Sequence, residues 1–207
     1  MAGRLLHERQ RRLWTTSALW LRRLCSPPAS GPSGPPGASI RPRRGRDLGA
    51  CARLLRLVHA AGQYPVYWPP APRAWLADGE VLDAWVAERR GELVGHVAIC
   101  RVGSGHRSAL RWREITGHSP DRLAGVSQFF VRPRAQGQGT GSALLAVAVR
   151  EIRARGLVPV LEVVSASRDA IAMYEARGWR LAGIDDWGRP ADRLRLLYYL
   201  APLDPPA

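Results

Sequence analysis

VSQFFVRPRAQGQGTGSALL, residues 126–145, runs from an apolar stretch through a glycine-rich turn into a second apolar stretch with helical spacing. Residues 126–131 read as a strand, 136–141 as a loop and 140–155 as a helix. Leu144, Leu145, Ala148 and Ile152 share one helix face, and Gly156 stops the run. A strand that feeds a glycine loop into a helix start makes an anion site. Backbone N–H groups converge in the loop, and the helix adds the positive end of its dipole. Glycine at Gly137, Gly139 and Gly141 keeps side chains from blocking a phosphate.

Three nucleotide-type loops compete for this stretch. The Walker A loop needs G-x-x-x-x-G-K-[ST], and the chain contains no Lys at all, which excludes it. The dinucleotide fingerprint needs G-x-G-x-x-G/A directly after a strand. Here the last position is Ser142, and residues 132–136 separate the loop from its strand, so the match is poor. The third pattern, Q/R-x-x-G-x-G/A, is met by Gln136, Gly139 and Gly141.

Outward from the loop, strands and helices mix. Residues 39–42 read as a first strand. Asp47 stands where it could N-cap a helix running to about residue 61, with Leu48, Leu54, Leu55 and Val58 apolar and Gly62 ending it. The segment 64–70, YPVYWPP, is aromatic and rigid and reads as a shaped loop. Residues 84–88 and 93–100 form a hairpin about Arg90-Gly91. Residues 107–119 are ambiguous, with helical character over 109–115. Residues 158–164 read as a buried strand. Ser167 N-caps a helix to about residue 177, stopped by Gly178, and strands over 179–182 and 194–200 follow. No internal repeat is visible.

The helix after Ser167 carries a second signature, SRDAIAMYEARGW, residues 167–179. With the glycine loop and its flanking Val131-Arg132-Pro133, it resembles the GNAT (N-acetyltransferase) superfamily over roughly residues 38–200. The family's N-x-x-A-I-x-L-Y-E-x-x-G-F stretch matches Ala170, Ile171, Tyr174, Glu175 and Gly178. The resemblance implies an α/β fold of α+β type: a single mixed, mostly antiparallel central sheet flanked by helices, with a disordered N-terminal arm. It implies acetyl-CoA as co-substrate and no metal. The backbone of Phe129, Phe130 and Val131 would pair with the pantetheine arm. Gln136, Gly137, Gln138, Gly139, Thr140 and Gly141 would cradle the pyrophosphate, with Ser167 and Ala170 also on the cofactor. The family's Asn falls on Ser167 here, so a side-chain contact to the cofactor is shortened or lost.

Acetyl transfer to an amine needs a base for the incoming proton and an acid for the departing thiolate. An ordinary ammonium, with a pKa near ~10.4, is almost wholly protonated at neutral pH. Tyr174 is the acid candidate by resemblance; its alternative is a core tyrosine on an apolar helix face. Glu162 is the base candidate: a carboxylate in the middle of an apolar strand is costly unless paired or solvated, and burial raises its pKa. Its alternative is a sheet carboxylate bonded to Arg or Ser. Glu162 precedes Tyr174 by 12 residues, as in the family's protein N-terminal alanine acetyltransferases, where this Glu is the base. The strand over 126–131 offers only Ser127 and Gln128, neither a base. His96, His118, Asp121, Asp185 and Asp186 are reserves, expected at the surface or in loops. Tyr64, Tyr67 and Trp68, with Trp75 nearby, line the acceptor side by positional analogy, or simply pack an early loop. Trp187 could reach the same pocket, and the acids beside it could attract a cationic acceptor.

The bulk numbers frame these readings. The 207 residues are 46% apolar, enough for one domain with extensions. The domain is expected over 39–203, a Pro/Gly/Ser-rich flexible linker over 26–38, and a basic arm over 1–25 with helical character through Leu6, Leu13, Trp20 and Leu24. The net charge is +14, but residues 1–46 hold ten Arg and one Glu, giving +9, and the remainder carries only +5. The excess sits mainly in the arm and reads as a solvated tail, which weakens a nucleic-acid role. The arm could also be a surface-binding or targeting helix; Arg22 and Arg23 interrupt the apolar stretch a secretory signal needs. The lack of Lys and Asn matches the codon usage of a GC-rich bacterial genome. Cys25, Cys51 and Cys100 are scattered without metal-ligand spacing, which fits a cytoplasmic setting, and no apolar run is long enough to span a membrane. The expected function is acetyl-CoA-dependent N-acetylation of a small-molecule amine. A peptide N-terminus as acceptor, or a non-catalytic acyl-CoA-binding module, are the alternatives, and a homodimer is left open.

Overall fold

The computed structural model describes residues 38–62, 64–102, 107–188 and 192–203. The basic arm and all but the last residue of the linker lie outside them. Seven strands form one sheet: β1 (Ser39–Pro42), β2 (Val81–Arg89), β3 (Glu92–Arg101), β4 (Leu123–Val131), β5 (Val158–Val164), β6 (Arg180–Trp187) and β7 (Leu194–Leu200). The spatial order is β1-β2-β3-β4-β5-β7-β6. Every neighbouring pair is antiparallel except β4 with β5. The sheet is mixed and mostly antiparallel, as expected.

Helices cover both faces. α4 (Thr140–Ala154) and α5 (Arg168–Glu175) bury Leu144, Leu145, Ala148, Ile152 and Tyr174 on one face, against Val97, Ile99, Val126, Leu161 and Val163. α1 (Leu48–Ala60) and the short α2 (Pro72–Leu76) bury Cys51, Leu54, Leu55, Val58 and Leu76 on the other face, against Val86 and Phe130. α3 (Arg107–Thr116) lies on that same face further along, with Trp112 on Leu123, Val160 and Tyr198. The alternation along β5 shows the division: Val160 faces α3, and Leu161 and Val163 face α4 and α5.

Three local expectations need correction. Asp47 stands at the start of α1 without capping it. Its carboxylate instead accepts from Arg41 at 2.7 and 3.1 Å and from the Arg44 N–H at 2.7 Å. The Arg41 guanidinium holds the Asp47 pKa down at about 2 against the opposing effect of burial. Arg41 also pairs with Glu88 at 3.0 Å, so this cluster ties β1 to β2 and to the entry of α1. Ser167 occupies the N-cap of α5, but its hydroxyl makes no capping bond; its carbonyl accepts from the Ile171 N–H at 3.0 Å. The strand expected over 179–182 runs further, as β6 to Trp187, and takes in Asp185 and Asp186.

Gly183 is where α3 crosses β6. A Cβ there would lie 2.7 Å from Ile115 Cδ1 and 3.4 Å from both Ile115 Cγ1 and Arg111 Nη2. Two side chains of α3 would have to yield together, so Gly183→Ala is expected to cost about 1–3 kcal/mol, the usual range for overpacking. Urea denaturation measures it; an unchanged midpoint would show that α3 does not press on the sheet here.

Candidate active site

The sheet opens in its middle. β4 and β5 pair only from Leu123 with Val158 to Val126 with Leu161. Beyond that point β4 stays with β3, while β5 continues on β7 alone, through Glu162 with Tyr198 and Val163 with Leu197. Among the described residues no strand joins residues 127–131 on the β5 side.

A bulge in β4 turns the strand at this opening. His96 pairs with Phe130 and Ala98 with Ser127, so β4 carries one residue more than β3 across the same stretch. The side-chain alternation slips accordingly. Ala124 and Val126 face α4 before the bulge, and Phe129 and Val131 face it afterwards. Gln128 absorbs the change at φ +47°, a left-handed conformation that costs a non-glycine residue roughly 1–3 kcal/mol.

Buried hydrogen bonds hold Gln128 in place. Its amide Nε2 donates to the Trp75 carbonyl at 2.6 Å, and its backbone N–H donates to the Tyr64 hydroxyl. Its carbonyl lies 2.7 Å from His96 Nδ1. Arg43 Nη1 lies 3.1 Å from His96 Nε2 and 2.7 Å from the Leu76 carbonyl. A guanidinium only donates, so Nε2 must accept, and Nδ1 carries the proton given to Gln128. His96, expected in a loop or at the surface, is instead a β3 residue with 0% exposure, stacked on Phe130 at 5.0 Å, and burial drives its pKa down to about 3.

The opening presents backbone. The Arg132 N–H donates to Val94 on β3, so by strand alternation the amides of Phe129 and Val131 turn toward the gap. Gln136 Nε2 takes the Val131 carbonyl there at 3.1 Å. Phe130 belongs to the β3 side, and its ring is buried in the cluster under α1. At the end of the gap, Gly137 and Gly139 adopt φ of +70° and +80°, and Gly139 begins α4. The first intrahelical bond runs from the Ala143 N–H to the Gly139 carbonyl, so the N–H groups of Thr140, Gly141 and Ser142 precede the helical ladder. The Thr140 side chain is fully buried, which leaves its backbone as the usable part. Arginines gather on this loop: Arg89 donates to the Gln138 side chain at 2.5 Å, and Arg177 reaches Ser142 from beyond the end of α5. Neither stands out in the sequence, because nothing local marks an arginine that arrives from another element.

Tyr174 and Glu162 lie on opposite faces of the sheet where it opens. Tyr174 is 6% exposed and packs beside Phe129, Trp179 and Tyr199 at ring distances of 6.3, 5.9 and 6.4 Å. Burial raises its pKa, so it stays protonated, and its hydroxyl has no hydrogen-bond partner among the described residues. Ala170 is partly buried in the same cluster. Glu162 is the first β5 residue past the last β4 pair and turns toward α3. It accepts from Trp112 Nε1 at 2.8 Å and from Ser108 Oγ at 3.2 Å, and it keeps part of its surface exposed. Desolvation raises its pKa, the Trp112 and Ser108 hydrogen bonds oppose that, and the Asp185 charge adds to it. Asp185 pairs with Arg111 at 3.2 Å and accepts from the Tyr198 hydroxyl at 3.1 Å. His118, Asp121 and Asp186 are exposed, as expected of surface residues.

The three aromatic residues of the early loop part company. Tyr67 stacks on Trp187 at 5.3 Å, and its hydroxyl donates to Asp192 at 2.5 Å, linking this loop to the ends of β6 and β7. Tyr64 stacks on Phe130 and braces the bulge. Trp68 lies over α1, against His59 at 5.0 Å and Arg56 at 5.8 Å.

Comparison with known proteins places this arrangement. The family described as Acetyltransferase (GNAT) family matches residues 51–179. A mycothiol acetyltransferase from Acidothermus cellulolyticus is 40% identical over 102 residues, which are 49% of this chain and 31% of that protein. The chain therefore spans under a third of the length of that curated relative. The ribosomal-protein-S18-alanine N-acetyltransferase from Escherichia coli superposes with a TM-score of 0.59 at 20% identity, over 82% of this chain and 96% of the other. The Salmonella typhimurium protein yncA, solved with its cofactor acetyl-CoA, gives 0.57 at 23% identity, over 81% and 95%.

Proposed function

The chain belongs to the GNAT acetyltransferase family, and on that premise we propose that it moves an acetyl group from acetyl-CoA to the primary amine of a small molecule, by direct attack of the amine on the thioester. The observation that carries the reading is the opening between β4 and β5, with Glu162 on one face and Tyr174 on the other. The residues fit the co-substrate. The Phe129 and Val131 amides can pair with an extended amide-bearing arm as an added strand would. The N–H groups from Gln138 to Gly141 can receive a diphosphate. Acetyl-CoA supplies an activated acyl group. Ser167 and Ala170, at the start of α5, are assigned to its remaining contacts.

Glu162, with its raised pKa, takes a proton from the incoming ammonium. Tyr174, protonated and with a hydroxyl that meets no partner among the described residues, gives its proton to the departing thiolate. Tyr174→Phe leaves the ring packing in place and removes only the hydroxyl. Its kcat is expected to fall by about 10²-fold, with KM for acetyl-CoA within about threefold in the same thiol-release assay. An unchanged kcat would remove the acid role.

A small acceptor is favoured by the Tyr67–Trp187 stack and the Tyr67–Asp192 bond, which tie the early loop, assigned to the acceptor side, to the ends of β6 and β7. The mycothiol acetyltransferase likeness over about half of this chain points the same way. The second reading, a peptide N-terminus, is favoured by the placement of Glu162 and Tyr174 and by the fold shared with the S18-alanine enzyme. Thiol release by the full chain, measured against panels of small amines and of peptides, separates the two. Turnover confined to peptides overturns the first reading, and binding of acetyl-CoA without turnover of either panel supports a non-catalytic module.

A further inference from the structure

A diphosphate brings full negative charges, whereas the N–H groups of a helix start offer only partial positive ones. Two guanidiniums stand beside the glycine loop. Arg89, the last residue of β2, donates to Gln138 Oε1 at 2.5 Å. Arg177, just past the end of α5, donates to Ser142 Oγ and, at 2.9 Å, to the Met173 carbonyl. Gln138 and Ser142 flank Gly139, Thr140 and Gly141, so the two cations bracket the N–H groups at the start of α4. Met173 Sδ would lie 3.5 Å from a Cβ built on Gly141, so the flank of α5 that carries Arg177 runs along this junction. Both guanidiniums lack an opposite charge. Arg41, Arg111, Arg132, Arg150 and Arg155 each pair with a carboxylate. Among the described residues Arg89 and Arg177 pair with none, and the groups they meet are neutral oxygens. These contacts set where each fork lies without neutralising it, and they leave donors over in both.

We propose that Arg89 and Arg177 are the phosphate-recognising side chains of the acetyl-CoA site, one at each end of the loop, and that they bind its diphosphate. The proposal rests on the reading of the loop over 136–141 as the diphosphate cradle. A planar guanidinium fork matches the spacing of two phosphoryl oxygens, and a charge-assisted bond is roughly twice as strong as a neutral one. The loop's own N–H groups fix where the anion sits. The two arginines, which arrive from β2 and from beyond α5, supply the charge that makes a phosphorylated arm bind better than a bare one.

The test needs no turnover. The full chain is titrated calorimetrically with CoA, with dephospho-CoA, which lacks the 3′-phosphate, and with pantetheine, which lacks every phosphate. Arg89→Gln and Arg177→Gln are each expected to weaken CoA and dephospho-CoA alike, by about 10- to 100-fold, and to leave pantetheine and the unliganded melting temperature unchanged. Arg177→Lys, which keeps the charge and loses the fork, should fall between parent and Arg177→Gln. Arg122→Gln removes an exposed arginine at the far end of β4 and should bind CoA as the parent does. A loss for CoA with none for dephospho-CoA would move the arginines to the 3′-phosphate and overturn the assignment. Equal losses for pantetheine together with lower melting temperatures would make them structural braces and overturn it as well. So would an equal loss in Arg122→Gln, which would report net charge alone. A parent that binds pantetheine as tightly as CoA removes the cradle and the proposal together. A parent that prefers CoA beside unchanged glutamine variants removes only the two arginines.

Discussion

Glu162→Gln is expected to lower kcat by about 10²- to 10⁴-fold, the range that general-base catalysis supplies, while the folded protein stays as stable as the parent or becomes more so. The two halves have one cause. The substituted amide would keep its oxygen for the Trp112 N–H and could turn its NH2 to the Ser108 hydroxyl, which would then accept, but it could not take a proton from an ammonium. The parent carboxylate is destabilised by desolvation, which raises its pKa above the ordinary carboxylate value. A carboxyl with a raised folded pKa binds more protons in the native state than in the unfolded chain across the window between the two values. Stability therefore falls as pH rises through that window and stays lowered above it. The neutral amide escapes this cost. The kcat/KM profile of the parent should rise with pH on its acid limb as Glu162 ionises, and that limb should be absent from the residual activity of the variant. Thermal melts at neutral pH and a pH–rate profile check both halves. A variant that loses activity and stability together would make Glu162 a structural carboxylate.

Much of this site is legible in the residues alone, and what is not has a common origin. The glycine loop and the α5 signature are contiguous stretches, with strand, turn and helix each written in local spacing. That is why the strand from 126 to 131, α4 and α5 match the structure closely. The mid-strand position of Glu162 is equally local, because one acid in an apolar strand needs a reason. The bulge at Gln128 is not local. Nothing in VSQFFV marks a left-handed residue, since its support comes from Tyr64, Trp75 and His96, between 32 and 64 positions away in the sequence. α2 is hidden from the sequence for a related reason. Five residues after a proline-rich stretch are too few to show a helical period. The capping expectations for Asp47 and Ser167 do not hold because a short oxygen-bearing side chain has more than one use. Asp47 meets the Arg41 guanidinium, a stronger partner than a helix N–H. His96 reads as a solvated polar residue only while Arg43 and Gln128 are out of view.

His96→Ala should then be the most damaging single change away from the reacting groups. It removes the donor to the Gln128 carbonyl, which is buried, the acceptor for Arg43, which is partly buried, and the ring stacked on Phe130 at 5.0 Å. A buried acceptor left unmet and a vacated ring each cost a few kcal/mol, so a loss of roughly 3–5 kcal/mol is expected from urea unfolding. Without that bond the left-handed Gln128 loses one of its restraints and the bulge can relax. Phe129 and Val131 would then turn away from the gap, so KM for acetyl-CoA should rise even where the fold survives. The tautomer argument adds a pH test. Desolvation, strengthened by the Arg43 charge, holds the folded pKa at about 3, below the ordinary value of 6.5. Between these values the unfolded chain binds the extra proton, so stability is fully present above about pH 6.5 and is lost as pH falls toward 3. For one group the slope is up to about 1.4 kcal/mol per pH unit. His96→Gln carries a donor and an acceptor but does not titrate. The parent should lose stability faster than this variant from about pH 6 to about pH 4, and parallel curves would show that His96 is not the neutral brace of the bulge. On the proposed reading the same stretch of β4 joins stability to catalysis: the groups that hold Gln128 in its left-handed conformation also set how Phe129 and Val131 face the opening beside β5.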